Sequence, residues 1–221
     1  MSDPKGKGSG YPELLMNLKK GLRLPRPGQE AQWRMAPRPR SGRVPESRDE
    51  DCRPAGVLVL VYPRWGRMHV ALMRRSENLP VHQSQISFPG GGQRPGEDIR
   101  QTAFRETEEE LGLPADRITV LGELTPLHIP PTHFCVYPVV ACLDREPVFR
   151  PSPGEVAEVL EVAVEEVMDP GCIQEETWTI RGIEADVPFY RFGKHKIWGA
   201  TAMVLAELAE VIRRAVPEEG A

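Results

Sequence analysis

No apolar run in the chain approaches the 18 residues that a membrane span requires, so a membrane-crossing helix is not expected. The opening MSDPKGKGSG lacks the apolar stretch of a secretory signal. The four cysteines, Cys52, Cys135, Cys142 and Cys172, include no C-x-x-C pair, and neither a zinc site nor a disulfide framework is signalled. Reduced thiols point in turn to the cytoplasm, with Cys135 and Cys142 read as small core residues. No internal repeat is visible. An overall excess of positive charge is missing too: the net charge is −4, so nothing in the global balance asks for nucleic acid. The charge is uneven, however. Residues 1–54 carry 12 Lys/Arg against 7 Asp/Glu, a net +5 that leaves −9 for the rest. A basic strip beside an acidic body suits an anionic ligand bridged by cations, or simply solvated charge.

What is present fits one domain with extensions. The 221 residues are 40% hydrophobic and 27% charged, enough for a core of ordinary size. Residues 1–10 read as a flexible tail and 217–221 as another. PELLMNLKKGL, Pro12–Leu22, opens on proline and repeats apolar residues at helical spacing. Residues 23–54, rich in Pro and Arg, look too broken for regular elements and form either an ordered arm or a linker. Arg34, Arg38, Arg40 and Arg43 fall inside this segment. A domain is then expected over 55–216. AGVLVLVYP, Ala55–Pro63, is a central strand and RMHVALMRR, Arg67–Arg75, its alternating partner, with His69 on a strand face. QISFPGG is a short strand running into a glycine loop, and a helix over 97–111 ends at Gly112. ITVLGEL and HFCVYPVVACLD are further strands, Val162–Pro170 a short helix, and Thr177–Gly193 a hairpin. A closing helix over Trp198–Ala215 buries Ala202, Leu205, Leu208, Ala209 and Ile212 on one side. This order predicts an α/β fold, a mixed sheet covered by helices on both faces.

The helix over 97–111 concentrates Glu106, Glu108, Glu109 and Glu110. At about 100° per residue, with Glu106 at 0°, Glu109 falls near 300° and Glu110 near 40°. These three share an arc of about 100°, while Glu108, near 200°, points away. Ala103, Thr107 and Leu111 form an adjoining strip able to pack on the sheet. Like charges a turn apart repel by a few tenths of a kcal/mol, about 0.2–0.5 per pair. Two readings fit the helix alone. Arg100 and Arg105 could neutralise a solvated face, or hard divalent cations, Mg²⁺ or Mn²⁺, could sit among the carboxylates.

The flanking residues decide between them. Gly91, Glu97, Arg105, Glu106, Glu109, Glu110, Gly112 and Leu113 stand at the spacing G-x5-E-x7-R-E-U-x-E-E-x-G-U, where U is aliphatic. Seven literal positions at roughly one in fifteen give chance odds of about one in 10⁸ per start point. The stretch resembles the Nudix box, with Thr107 in an aliphatic slot. The resemblance implies the Nudix fold, a mixed sheet between helices (α/β/α), and metal-dependent hydrolysis of a diphosphate. Glu106, Glu109 and Glu110 would bind the cations, with the Gly90 carbonyl as an extra ligand, and Arg105 would orient the carboxylates through a pair with Glu97. The glycine loop, Gly91 included, would let backbone approach the phosphates. A base must take the proton of the attacking water. Glu106 is one candidate, and the stretch SPGEVAEVLEV offers Glu161 and, beside a glycine ahead of a strand, Glu155 and Glu158. For these the plainer reading is edge-strand charge.

LMRRSENLPVHQSQISFPGG, Leu72–Gly91, further resembles the signature of the coenzyme A diphosphatase branch. Arg75, Ser76, Phe88, Pro89, Gly90 and Gly91 match, whereas Met73, Pro80 and Ser84 depart from it. WRMAPRPR, FRPSPGEVAEVLEV and IWGATAMVLAEL look similar to the same branch, which extends the likeness over residues 11–215. The branch implies cleavage of coenzyme A, or an acyl-CoA, to 3′,5′-ADP and 4′-phosphopantetheine. A substrate with three phosphates calls for cations, and Arg74, Arg75 and the arginines of 34–43 are available. His82 is a phosphate contact or a structural loop residue, and Trp198 and Phe189 read as core rather than as a stacking platform. The partner expected is a small nucleotide. Nucleic acid and membrane are not expected, and a homodimer is compatible with the sequence. Two alternatives stay open: a broader hydrolase of ADP-ribose or NADH, and a Nudix-fold binding module without turnover.

Overall fold

The structure, a computed structural model, describes residues 10–39, 52–77, 85–129 and 133–216. Arg40, Arg43, Pro80, His82 and Ser84, and the expected tails apart from Gly10, lie outside the described residues. In chain order the elements are α1 (Tyr11–Gly21), α2 (Gln29–Trp33), β1 (Arg38–Pro39), β2 (Arg53–Arg64), β3 (Arg67–Arg75), β4 (Ile86–Ser87), β5 (Gly90–Gly92) and α3 (Ile99–Leu111). They continue with β6 (Thr119–Glu123), β7 (Leu127–Ile129), β8 (Phe134–Cys142), β9 (Val156–Ala163), α4 (Val164–Met168), β10 (Ile173–Ile180), β11 (Ile183–Phe192), β12 (His195–Trp198) and α5 (Gly199–Arg213).

β2 is the spine. Leu58 to Tyr62 are fully buried, as an aliphatic run flanked on both faces should be. β2 pairs antiparallel with β3 and β5 and parallel with β8. β3 continues to β4 and β9, and β8 to β6 and β7. On one face Leu58, Leu60, Tyr62, Ala71 and Met73 pack against Ala103 and Leu111 of α3. On the other, Val59, Val61, Val70 and Leu72 meet Leu14 and Leu18 of α1 and Leu205, Leu208 and Ile212 of α5. The mixed sheet between helices is the architecture expected from the order of elements. No helix among the described residues is long and apolar enough to cross a membrane.

Several local expectations are corrected. The segment 23–54 does contain regular structure, α2 and β1. A second, four-stranded sheet exists, with β11 paired to β1, β10 and β12. α3 starts at Ile99, two residues later than expected, because Asp98 caps it: its side chain accepts from the Gln101 N–H at 2.8 Å while the Gln101 side chain accepts from the Asp98 N–H at 2.8 Å. Val162 and Ala163 finish β9 rather than opening a helix, and Trp198 ends β12 rather than starting α5. α5 is buried on more than one side, since Val204, Glu207 and Val211 are enclosed as well. The thiols are not all reduced: Cys52 and Cys135 form a disulfide, with their Cα atoms 5.6 Å apart. They are 83 residues apart in sequence, and only the parallel pairing of β2 with β8 makes them neighbours.

The N-terminal segment is held by a buried acid. Glu207 of α5, fully enclosed, accepts hydrogen bonds from Gln32 Nε2 (2.8 Å), Thr125 Oγ1 (2.6 Å), the Thr125 N–H (3.1 Å) and the Gly28 N–H (3.3 Å). Removing the acceptor strands these donors away from water. Glu207→Ala is therefore expected to destabilise the protein by about 3 kcal/mol, read as a lower midpoint in denaturant, with Glu207→Gln intermediate.

Candidate active site

The glycine loop and the acidic helix are brought together by close backbone packing. Ala55, Gly56 and Val57 of β2 pair with Gly92, Gly91 and Gly90 of β5. A Cβ on Gly56 would stand 2.5 Å from the Ile99 carbonyl oxygen, so this glycine sets how near α3 lies to the sheet. Gly112 ends α3 in the left-handed conformation, φ 67°, donating to the Glu108 carbonyl at 2.9 Å. The loop after β8 completes the helix end: the Arg150 N–H donates to the Leu111 carbonyl (2.8 Å) and the Ser152 N–H to the Glu110 carbonyl (2.9 Å). The same loop carries Glu155 to the side of Glu110.

Across the helix arc the carboxylates pass from solvent to core. Glu109 is 40% exposed, Glu106 16% and Glu110 2%, and next in the arc Ala103, Thr107 and Leu111 are fully buried. Thr107 satisfies its hydroxyl locally by donating to the Ala103 carbonyl at 2.7 Å. Glu108 is exposed and lies off the arc. Arg105 is the hub. It donates to Glu97 through Nε (2.6 Å) and Nη2 (3.1 Å), to Glu106 (2.7 Å) and Glu109 (3.1 Å) through Nη1, and to the Gly92 carbonyl through Nη2 (3.3 Å). Arg94, which the sequence reading passed over, grips Glu109 with both Nη atoms at 3.2 and 3.3 Å. Arg100 instead pairs with Glu123 at 3.0 Å, so it is not the neutraliser of the arc.

Hydrogen bonds from Arg105, helped by the Arg94 N–H and the Thr102 hydroxyl, hold the Glu97 carboxyl down at about 2. A depressed acid stabilises the fold above its unfolded range, near 4.3, and this contribution is lost as pH falls towards about 2. Glu97→Gln should therefore lower the melting temperature at neutral pH, and the gap to the parent should close between pH 4.5 and 2. Glu110 is shifted the other way. Burial pushes its carboxyl up to about 8, against the lowering effect of the Gly90 N–H (2.9 Å) and Arg75 (3.4 Å), and Glu106 and Glu155 push it further.

Other candidate residues are placed elsewhere. Arg74 and Arg75 are adjacent on β3 but face opposite sides of the sheet: Arg75 meets Glu110, whereas Arg74 reaches Glu158 (3.3 Å) and Glu77 (3.7 Å). Glu158 lies within β9, not ahead of it. It also faces His195 Nε2 at 3.2 Å, on the side away from α3. Glu161 accepts from the Tyr62 hydroxyl at 2.7 Å and pairs with Arg64. Arg34 pairs with Glu210 at 3.1 Å and Arg38 with Glu175, so neither faces the acidic arc. Phe189 is fully buried and stacked on Trp178.

Among the described residues no three His, Cys, Asp or Glu side chains are already gathered closely enough to cage an ion. Arg105 and Arg94 divide the arc instead. The donor chemistry nevertheless fits hard divalent cations, because the arc offers carboxylate oxygens beside the half-buried backbone of a glycine loop. Burial, which raises the Glu110 pKa, penalises its ionised form, and a bound cation would offset that penalty. Gly91 also leaves room there: a Cβ on it would lie 2.6 Å from the Glu106 carboxyl carbon.

Comparison with known proteins agrees with this arrangement. Residues 53–181 match the NUDIX domain. The uncharacterized Nudix hydrolase NudL of Photorhabdus laumondii subsp. laumondii is 33% identical over 170 residues, spanning 76% of this chain and 90% of that protein. NudL of Yersinia enterocolitica is 31% identical over 165 residues, 73% of this chain and 76% of that one. A MutT/nudix family protein from Enterococcus faecalis shares the fold, with a TM-score of 0.51 at 15% identity over 93% of this chain and 74% of its own. An acidic helix packed on a glycine loop, a matching domain over more than half the chain and relatives above 30% identity together place the chain in the Nudix hydrolase family.

Proposed function

We propose that this Nudix hydrolase cleaves the diphosphate of coenzyme A or an acyl-CoA, with Mg²⁺ or Mn²⁺, to give 3′,5′-ADP and 4′-phosphopantetheine. Nudix hydrolases generally act with divalent ions. Here Glu106, Glu109, Glu110 and the Gly90 carbonyl would hold them, and when bound they polarise the diphosphate and acidify water. Arg105 keeps Glu106 in place from the pair with Glu97. Glu155, on the loop that caps α3, is the base we favour over Glu158, which Arg74 and His195 engage on the far side of the sheet. Water attacks phosphorus, its proton passes to the base, and the bond from that phosphorus to the bridging oxygen breaks. Gly91 gives the diphosphate backbone access and Arg75 supplies a cation at its side. Arg74, held by Glu158 and Glu77, would serve a more distant part of the substrate.

The observation that carries the coenzyme A assignment is the match of Arg75, Ser76 and Phe88–Gly91 to that branch, together with the position of Arg75 beside Glu110. The acidic residues all come from one chain, so a homodimer is not required to complete the arc. Pairing of Cys52 with Cys135 removes the support that reduced thiols gave to a cytoplasmic location. Product analysis with Mg²⁺ and with Mn²⁺ across coenzyme A, acetyl-CoA, ADP-ribose and NADH tests the assignment. Intact coenzyme A beside cleaved ADP-ribose or NADH would reject it in favour of the broader nucleotide hydrolase.

A further inference from the structure

Arg75 is fixed in its main chain and loosely held at its tip. It sits where the pairing of β3 with β9 slips by a residue, and its N–H donates to the Gln85 carbonyl at 2.9 Å. Its guanidinium approaches Glu110 at 3.4 Å, beyond the about 2.7–2.9 Å of a good charge-assisted hydrogen bond. Its Nε is buried without an acceptor. Arg105, on the acidic helix, makes contacts as short as 2.6 Å. A guanidinium presents five donors in a fork suited to phosphate, and an enclosed donor without a partner is costly. Glu110, for its part, is enclosed and also receives the Gly90 N–H.

We infer that Arg75 is a substrate-binding residue that changes partners: it lies against Glu110 before a divalent cation arrives, and turns its fork to a phosphate oxygen of the substrate once a cation has taken that carboxylate. Rigid backbone and a weakly engaged fork allow this exchange without movement of β3. Ion and diphosphate then bind cooperatively, because each is favoured by the state of Arg75 that the other leaves. The inference rests on the metal-binding reading of the acidic arc given above.

Calorimetric titration of Mn²⁺, with and without adenosine 5′-(α,β-methylene)diphosphate, tests it. Arg75→Gln should bind Mn²⁺ alone about tenfold more tightly than the parent, and should bind the nucleotide in the presence of Mn²⁺ about tenfold more weakly. An unchanged or lower Mn²⁺ affinity in Arg75→Gln overturns the exchange. Should that variant not fold, ¹⁵N-arginine spectra of the parent decide. The Arg75 Nε–H signal, assigned by its loss in Arg75→Lys, must shift on adding Mg²⁺ alone and again on adding the nucleotide. A signal indifferent to Mg²⁺ refutes the inference. Mn²⁺ affinity untouched by Glu110→Gln would instead reject the metal site itself.

Discussion

Glu110→Gln should abolish metal-dependent hydrolysis, lowering kcat/KM by about 10³-fold or more, while the fold stays intact or becomes firmer. The glutamine keeps an oxygen for the Gly90 N–H, and gives up the charge and the long contact in which the second oxygen accepts from Arg75. In the absence of cations that charge is a liability, since burial raises the carboxyl to about 8. A raised acid favours the protonated folded state, so the ionised form weakens the parent progressively as pH climbs from about 4.3 towards about 8. Across that interval the melting temperature of Glu110→Gln should rise relative to the parent, then hold a constant lead. Glu106→Gln should lose hydrolysis to a comparable degree and, because it also loosens Arg105, should gain no stability. Near-normal turnover in either variant would show that the arc is not the catalytic centre. Steady-state rates with Mn²⁺ and melts in chelator across pH separate the two effects.

The second large effect is expected at Gly91. A Cβ there would lie 2.6 Å from Cδ and Oε1 of Glu106 and 2.9 Å from Oε2. The carboxylate cannot swing freely aside, because Arg105 holds it at 2.7 Å. It must shift by a large part of an ångström, and a displacement of about 1 Å at a reacting centre can cost about 100-fold in rate. Gly91→Ala should therefore reduce kcat by about that factor, with stability within about 1 kcal/mol of the parent. Gly90 supplies the contrast. Its φ is 152° and a Cβ would meet the Gly56 carbonyl oxygen at 2.4 Å, which is main chain and cannot yield. Gly90→Ala should lower the melting temperature as well as the rate. A Gly91→Ala enzyme with normal kcat would mean that the position of Glu106 in this structure is not the one used in turnover.

The parts of the site that were legible in sequence are those that depend on neighbours along the chain. The sorting of Glu106, Glu109 and Glu110 from Glu108 is a property of one helix, and so is the buried strip of Ala103, Thr107 and Leu111. β2 and β3 announced themselves by a continuous aliphatic run and by alternation. Strand alternation could also have separated Arg74 from Arg75. What stayed hidden needs the fold first. Arg94, in a Pro-Gly turn, reads as a loop charge until the turn is folded over Glu109. Gly56 looks like a flaw in a strand, which is itself the signal that another backbone approaches there. The loop at Arg150–Ser152 gives no local hint that it closes the end of α3. The second sheet joins Arg38–Pro39 to residues about 150 positions later, a pairing no local pattern encodes.

The disulfide between Cys52 and Cys135 encloses β2, the glycine loop and the whole of α3. Topologically, the segment that carries the acidic helix is a ring and the rest of the protein hangs from it as two open ends. When the oxidised protein unfolds, that ring cannot expand as a linear polymer would, and its carboxylates remain concentrated in a small volume. Reduction releases a longer, looser coil in the unfolded state. The acidic box thus spends its unfolded life on a short leash, and its route back to the native arrangement starts from a search already narrowed.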